Sequence, residues 1–577
     1  MWIGHLGNGH RIIWSMGLGV VLLGLLALAA CGPGEAPKPT PTATSVAKVA
    51  TPSPTATAVP TPTPGPKKGG ILNKFNYRDT MSGTLDPNLD ASAYSVEIVG
   101  SMYNQLLRYD PLDSSELVPD LAKSWKISAD GKSYVFTLRD DVKFSDGTPV
   151  TPEDVVYSLR RIVGELGAPV MSKRIGPNLK AVWGGAEVTG PNEVTVRIKV
   201  ASAMFLGRLG SAYVKIVPKH VLDATEKKQF DGNPVGAGPF KLTKYQKGVV
   251  VEQERNPGYA TSYKEGLPYL DGLRTYIIKD VNAQIAAMNA GQVDLWVQYP
   301  ALDVTQGQSI KNFLGDKVVV DKFPAAAIVV QPINVTRNPV FKDPRVVKAF
   351  WIAMDRKTLN ERVFEGGLVV GAILDPEVYP EAALPLTELY AYPGIKEPDY
   401  ALAKKLLADA GYPNGIDVGE IVSAGSWLED AATILNAGLA KAGIRMKEEV
   451  LDSVTAGSRT DAGLFDLAYV FSGGMDTPQV LESFMAVYIT GGTRNKTYSG
   501  DPEIDRMISE AEQTLDPQKR NEKIREIQRY IYSNMSHGEV AIGVPKNTLA
   551  YRTYVKGYRP SLTYTDAYSF DTVWLQK

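Results

Sequence analysis

Apolar and polar positions alternate with a period of two along Ser133–Arg139, where Tyr134, Phe136 and Leu138 fall on one side and Val135, Thr137 and Arg139 on the other. Glu193–Lys199 repeats the pattern with Val194, Val196 and Ile198. Alternation sends successive side chains to opposite faces, so both segments read as half-buried antiparallel strands. Between them, Thr151-Pro152-Glu153-Asp154 predicts a helix start. Thr151 can cap, Pro152 suits the first turn, and Asp154 can reach back to the cap amide. Val155, Leu159 and Ile162 then line one face. Further on, the pattern turns mostly helical, over Asp343–Phe364, Pro398–Ala410, Glu429–Ala442, Pro502–Leu515 and Pro517–Met535. Gly411 and Gly443 sit where C-terminal caps belong, and Asp501-Pro502 and Asp516-Pro517 each supply a capping acid followed by proline. A short strand is expected at Phe465–Phe471. There is no obvious internal repeat. The mixture is α/β or α+β, spread over at least two lobes.

The first 68 residues depart from this pattern. His10 and Arg11 precede an uncharged run from Ile12 to Ala30, which ends in Leu28-Ala29-Ala30-Cys31-Gly32. A short apolar core followed by small residues is the pattern of a secretory signal peptide. Nineteen residues are also enough to span a bilayer. The chain's single cysteine, however, stands where the run stops. Leu-Ala-Ala-Cys resembles a bacterial lipobox, which implies cleavage before Cys31, acylation of Cys31 and a membrane anchor carrying chains such as palmitate. Residues 32–68 hold ten prolines and eight threonines, with almost nothing to bury. They read as an extended or disordered tether. At about 3.1 Å per residue in a polyproline conformation, it reaches roughly 115 Å.

Composition narrows the chemistry. The 577 residues carry 62 Lys and Arg against 63 Asp and Glu, with no basic stripe, which argues against nucleic-acid binding. One cysteine excludes an internal disulfide, a CxxC pair and a thiolate zinc site. Beyond the signal segment only His220 and His537 remain, too few for a polyhistidine metal site, and each is expected at a surface or an element end. The sequence contains no G-x-S-x-G elbow, H-E-x-x-H helix or G-x-x-x-x-G-K-[ST] loop. Gly236-Ala237-Gly238-Pro239 is no dinucleotide fingerprint. No catalytic residue and no cofactor is expected. A carboxylate pair of the glycosidase kind stays open, since many acids are present.

Several stretches together carry a resemblance. They are Leu121-Ala122-Lys123-Ser124-Trp125, Asp130-Gly131-Lys132-Ser133-Tyr134-Val135-Phe136, and Val142-Lys143-Phe144-Ser145-Asp146-Gly147-Thr148-Pro149-Val150-Thr151-Pro152-Glu153-Asp154. Gly236-Ala237-Gly238-Pro239-Phe240, Glu254-Arg255-Asn256-Pro257-Gly258-Tyr259, Leu267-Pro268-Tyr269-Leu270-Asp271, Asp343-Pro344-Arg345-Val346 and Ala408-Asp409-Ala410-Gly411-Tyr412-Pro413 follow in order. From about residue 69 to 577 the chain resembles the family 5 extracellular solute-binding proteins, the peptide, dipeptide and nickel receptors of ABC importers. The resemblance implies an α/β, two-lobed periplasmic-binding-protein-like fold of type II, cluster C, with a hinge. Lobe one would hold residues 69–103, 234–330 and 541–577, an inserted subdomain 104–233, and lobe two 331–540. It also implies a monomeric, extracytoplasmic receptor that delivers a peptide or other small solute to an ABC permease. A sugar oligomer is the runner-up ligand. A secreted hydrolase and a surface interaction protein without transport are the rival classes. Singly, the motifs read as structural: Phe144-Ser145-Asp146-Gly147 as a turn with a core aromatic, Gly238-Pro239 as a turn between lobes.

The resemblance also implies a pocket. Peptide-binding members carry a Gly-Trp-x-x-Asp stretch in which the Asp pairs with the peptide ammonium. The matching stretch here is Val470-Phe471-Ser472-Gly473-Gly474-Met475-Asp476-Thr477-Pro478. Phe471 stands at the Trp position and Gly474 at the Asp position, with Asp476 a candidate substitute. A buried ammonium needs a paired carboxylate, so this departure weakens the peptide expectation. Ala93 and Tyr94 are expected at the ligand from lobe one. Ser472 is expected beside Phe471, Arg459 to meet an anionic group, and Trp427 and Trp296 to stack on a flat or sugar ligand. Nickel is disfavoured because neither remaining histidine lies near Phe471.

Overall fold

The computed structural model describes residues 65–80, 84–89, 92–166, 175–224, 230, 232–296, 302–324, 328–424, 427–469, 477–563 and 569–577. Cys31 and most of the tether lie outside them. The two alternating segments pair antiparallel as strands Ser133–Leu138 and Glu193–Ile198, with Tyr134 opposite Val196 and Phe136 opposite Val194. Ala122–Ile127 and Trp183–Gly190 complete a four-stranded sheet. The helix Pro152–Ile162 covers it, held at its start by the expected reciprocal Thr151–Asp154 capping box. Phe144 is buried in that core, and Gly147 turns the chain at φ 89°.

A second sheet runs Phe240–Gln246, Val250–Arg255, Gly272–Ile277, Ile71–Asn76 in spatial order. It continues through a bridge from Lys74 to Leu295, and from Leu295 to Tyr551 on the long strand Glu539–Arg552. Val318–Pro324 lies on the far side of that long strand. These two sheets share one apolar core, from Leu72 through Phe136, Phe205 and Phe240 to Leu549. The segment between residues 104 and 233 is therefore packed onto the first lobe.

The second core gathers Val329–Ile333, the helix Pro344–Ala353, and the helices Trp427–Lys441, Pro502–Gln513 and Pro517–Asn534. It surrounds a parallel sheet of Ile444–Leu451, Ile416–Ser423 and Leu467–Tyr469. The expected single helix over Asp343–Phe364 is two. It breaks at Met354–Asp355, because Asp355 caps a new helix, Arg356–Arg362. Arg356 turns inward there and donates to the carbonyls of Ala541, Trp351 and Gly394.

The long strand Glu539–Arg552 belongs to both cores. Its first half pairs with Val329–Pro332 and Leu368–Val370, its second half with Val318–Pro324. The register slips where the two halves meet, with Val329 opposite Gly543 and Val330 opposite Ala541. Gly543 has φ 154°, and a Cβ there would lie 2.6 Å from the Val369 carbonyl oxygen. Glycine is required at this crossing by both backbone conformation and space. The molecule has the two-lobed type II periplasmic-binding-protein fold, and the crossing strand links the lobes.

Candidate ligand cleft

Strand directions fix which edges of the two sheets face each other. Val318–Pro324 runs antiparallel to the crossing strand, with Val318 opposite Arg552 and Pro324 opposite Lys546. Leu295 is antiparallel to that same strand and parallel to Lys74. The Ile71–Asn76 strand therefore points its carboxyl end at the second lobe. In that lobe, Val329–Pro332 runs away from the crossing, and Leu467 is antiparallel to Ile333. Leu467–Tyr469, and the parallel strands beside it, return their carboxyl ends toward the first lobe. Open α/β sheets bind ligands at the carboxyl ends of their strands, where loops carry no ladder hydrogen bonds. Here two such edges are opposed, which makes the space between them the candidate cleft.

On the first lobe this edge carries Tyr77 and Arg78, which follow directly from Asn76, and the helix Ala93–Val99. Asn76 Nδ2 donates to the Tyr94 carbonyl at 2.8 Å and pins that helix start to the strand end. The Tyr77 and Tyr94 rings lie 6.0 Å apart, and the Arg78 guanidinium stands 5.3 Å and 5.6 Å from their centres. Ala93 is buried and Tyr94 half-buried. Of the expected contributors, the structure thus brings Ala93 and Tyr94 to the edge. It adds Tyr77 and Arg78, which no sequence motif singled out.

On the second lobe the edge carries Ser423, Leu451 and Tyr469. Trp427 opens the helix that follows Ser423. It is half-buried, edge-on to Phe364 at 5.2 Å and packed against the second core. Phe471, Ser472, Gly474 and Asp476 continue the chain from Tyr469 and lie outside the described residues.

Two expectations are corrected. Arg459 lies on the helix Ser453–Asp461, six residues beyond its first residue. At about 1.5 Å per residue this sets it roughly 9 Å back from the sheet edge. Its guanidinium donates to Glu449 at 2.7 Å and to the Leu464 carbonyl at 3.4 Å. Trp296 is 1% exposed and packs edge-on against Phe75 at 4.8 Å, so its ring is core and offers no stacking face. Of the histidines, His220 is exposed and bonded to Asp146 at 2.8 Å. His537 stands at an element end as expected but is buried, and desolvation holds it down to about 4.

Beneath the second-lobe edge lies a polar cluster. Glu420 is buried and accepts from Gln331 at 3.2 Å and Asn436 at 2.6 Å. Burial lifts its carboxyl to about 8, so it is largely neutral at pH 7. Tyr469, buried next to it, is pushed well above its ordinary value by burial and by Glu420.

Comparison with known proteins agrees with the two-lobed geometry. Residues 116–495 match the bacterial extracellular solute-binding proteins, family 5, and the chain belongs to that family. Curated relatives include the oligopeptide-binding protein AppA of Bacillus subtilis, 26% identical over 86% of this chain and 92% of its own length. Heme-binding protein A of Haemophilus influenzae is 26% identical over 81% of this chain and 86% of its own length. Among solved structures, the periplasmic binding protein DppA of Helicobacter pylori with the peptide STSA superposes with a TM-score of 0.74 at 23% identity, over 89% of this chain and 99% of that one.

Proposed function

We propose that this protein is the lipid-anchored receptor of an ABC importer, and that it captures an oligopeptide or similar organic solute between its lobes for a membrane permease. The observation that carries this reading is the opposition of two carboxyl-end sheet edges across a crossing strand. A solute held there touches both lobes at once. Contacts that exist only when the lobes approach shift the population toward the closed form. The lobes divide at 69–103, 234–330 and 541–577 for the first, 104–233 for the insert and 331–540 for the second. Cys31 carries the anchor, and the 32–68 tether gives the body its reach. Phe471, Ser472, Gly474 and Asp476 are the proposed second-lobe ligand contacts with Trp427, and Asp476 is the proposed substitute for the family acid at the Gly474 position. The chain acts as a monomer.

The test is native mass spectrometry of the chain from Gly32 onward, purified without denaturation. Bound masses spaced as amino-acid residues support peptide capture. Hexose-spaced adducts sink the peptide reading and move the ligand class to sugars. A protein with no retained adduct is screened by thermal shift against peptides and sugars, since a ligand that binds only the folded state raises the melting temperature. Anchoring is tested separately: Cys31→Ser is expected to move the protein from the membrane fraction to the medium or periplasm.

A further inference from the structure

We propose that Arg78 is the anion receptor of the cleft and that the solute it selects carries a carboxylate. The proposal deepens the binding reading above and rests on it for the location of the cleft. Arg78 is half-buried, yet among the described residues no oxygen accepts from its guanidinium. Its backbone amide is fixed instead, donating to Asn76 Oδ1 at 3.4 Å. The adjacent acid is unavailable. Asp79 Oδ1 accepts from the Tyr245 hydroxyl at 2.8 Å and from the Thr80 amide at 2.8 Å, and its Oδ2 accepts from the Gly248 amide. Asp79 therefore faces the hairpin turn near Gly248.

Three deeply buried arginines each meet an acid, and a fourth, Arg356, donates to three backbone carbonyls. Arg108 meets Asp571 at 2.8 Å, Arg161 meets Asp86 at 2.7 Å, and Arg208 meets Glu482 at 2.9 Å. What Arg78 has is two tyrosine rings. Faces of aromatic rings attract a guanidinium and hold it in place without using up its N–H groups. Five donors in a planar fork are thereby kept available at the edge that faces the second lobe. A carboxylate matches that fork in two parallel hydrogen bonds. Tyr77 and Tyr94 beside it supply flat apolar contact for the carbon next to the carboxylate. A neutral sugar would leave the partly desolvated cation without a counter-charge.

The carboxylate has two sources in a peptide, the C-terminus and an acidic side chain. Equilibrium capture separates them. The chain from Gly32 onward and its Arg78→Gln variant are each exposed to a mixed tripeptide library and to the same library as C-terminal amides, and bound species are read by mass spectrometry. Preference for free acids over amides that Arg78→Gln abolishes supports the proposal and assigns the C-terminus. Enrichment of Asp- and Glu-containing peptides, lost in the variant, supports it and assigns the side chain. The expected loss of affinity is roughly 10- to 100-fold, as for a hydrogen bond to a charged group. Arg78→Lys is expected to fall between, keeping charge without the fork.

Capture of acids and amides alike, unchanged in Arg78→Gln, overturns the proposal and leaves peptide binding intact. If no peptide binds, the peptide reading fails, and the same pair of proteins is titrated with a panel of small mono- and dicarboxylates and neutral sugars. Carboxylate binding that weakens in Arg78→Gln still supports the receptor role. Binding of a neutral sugar at equal strength to both proteins, or binding of nothing in either panel, overturns it. Melting temperatures without ligand check folding, and only a small drop is expected, because the side chain loses two ring contacts but no hydrogen bond to a described residue.

Discussion

The two lobes differ in how they bury most of their charge. The first lobe and its insert bury three close pairs, although Arg552 donates there to the Met288 and Asn289 carbonyls and Asp120 accepts from Gln105 and Thr261. Lys74 meets Glu97 at 2.9 Å with both side chains 1% exposed, Arg161 forks onto Asp86, and Arg108 meets Asp571. Among the described residues, the second lobe buries Glu420, Glu539 and Arg356 without an opposite charge in contact. Burial lifts both glutamic acids to about 8, and it lowers Arg356 to about 10 while three backbone carbonyls solvate it. Attraction between partners offsets only part of the desolvation cost, since burial still lifts Glu97 to about 7 beside Lys74. A lone buried acid escapes the desolvation cost by keeping its proton. The first lobe should therefore fail when one partner is removed, and the second should fail when pH strips a proton.

The largest expected effect is in the first lobe. Lys74→Met leaves Glu97 buried without its ammonium and should cost roughly 3–5 kcal/mol. Adding Glu97→Leu should restore most of that, since a packed apolar pair replaces a buried ion pair at little net cost. Urea midpoints of the two variants decide it. If the double variant is no more stable than Lys74→Met, the pair is a packing element and the contrast between lobes fails.

Next comes the one described buried ion pair that the lobes share. Arg208, from the insert, donates to Glu482 at 2.9 Å and to Glu512 at 2.7 Å, and Met204 beside it is buried in the second core. Arg208→Met strands Glu482 and should weaken this contact by about 3 kcal/mol. Small-angle scattering of the ligand-free protein is expected to show a larger radius of gyration. An unchanged radius with a lower melting temperature would mean that the contact stabilises without holding the lobes together.

The sequence made the local devices legible and left the long-range ones hidden. Thr151 with Asp154, Asp501 and Asp516 cap helices as expected, because a cap involves residues within one turn. The break at Asp355 was not legible, because the carbonyls that draw Arg356 inward include those of residues 541 and 394. The cleft arginine was misplaced for a related reason. Arg459 is expected to meet an anionic group, but helix geometry turns it to Glu449. Arg78 is set apart by a hydrogen-bonded acid it does not have among the described residues, and that is visible only when the fold has turned its neighbour Asp79 to Tyr245 and Gly248.

The smallest effect tests the second lobe by pH. Glu420 and Glu539 have folded values near 8, against an ordinary value of 4.5. Below 4.5 each is protonated both folded and unfolded, and its contribution is fully present. Between 4.5 and 8 the unfolded chain has released the proton while the folded chain holds it, so stability falls as pH rises, and it levels off above 8. At about 1.4 kcal/mol per pH unit, one such acid costs roughly 2–3 kcal/mol between pH 6 and pH 8. His537 acts in the reverse sense: its folded value is about 4 against 6.5, so its contribution is present above 6.5 and lost as pH falls. One histidine opposes two acids, and only below 6.5. Glu420→Gln should keep the acceptor role toward Gln331 and Asn436 while removing one of the two titrations. The variant is expected to lose less stability than the parent on going from pH 6 to pH 8, with little difference between them near pH 4.5. Equal slopes for parent and variant would mean that Glu420 is ionised in the folded protein, and that the second lobe, like the first, finds a counter-charge for what it buries.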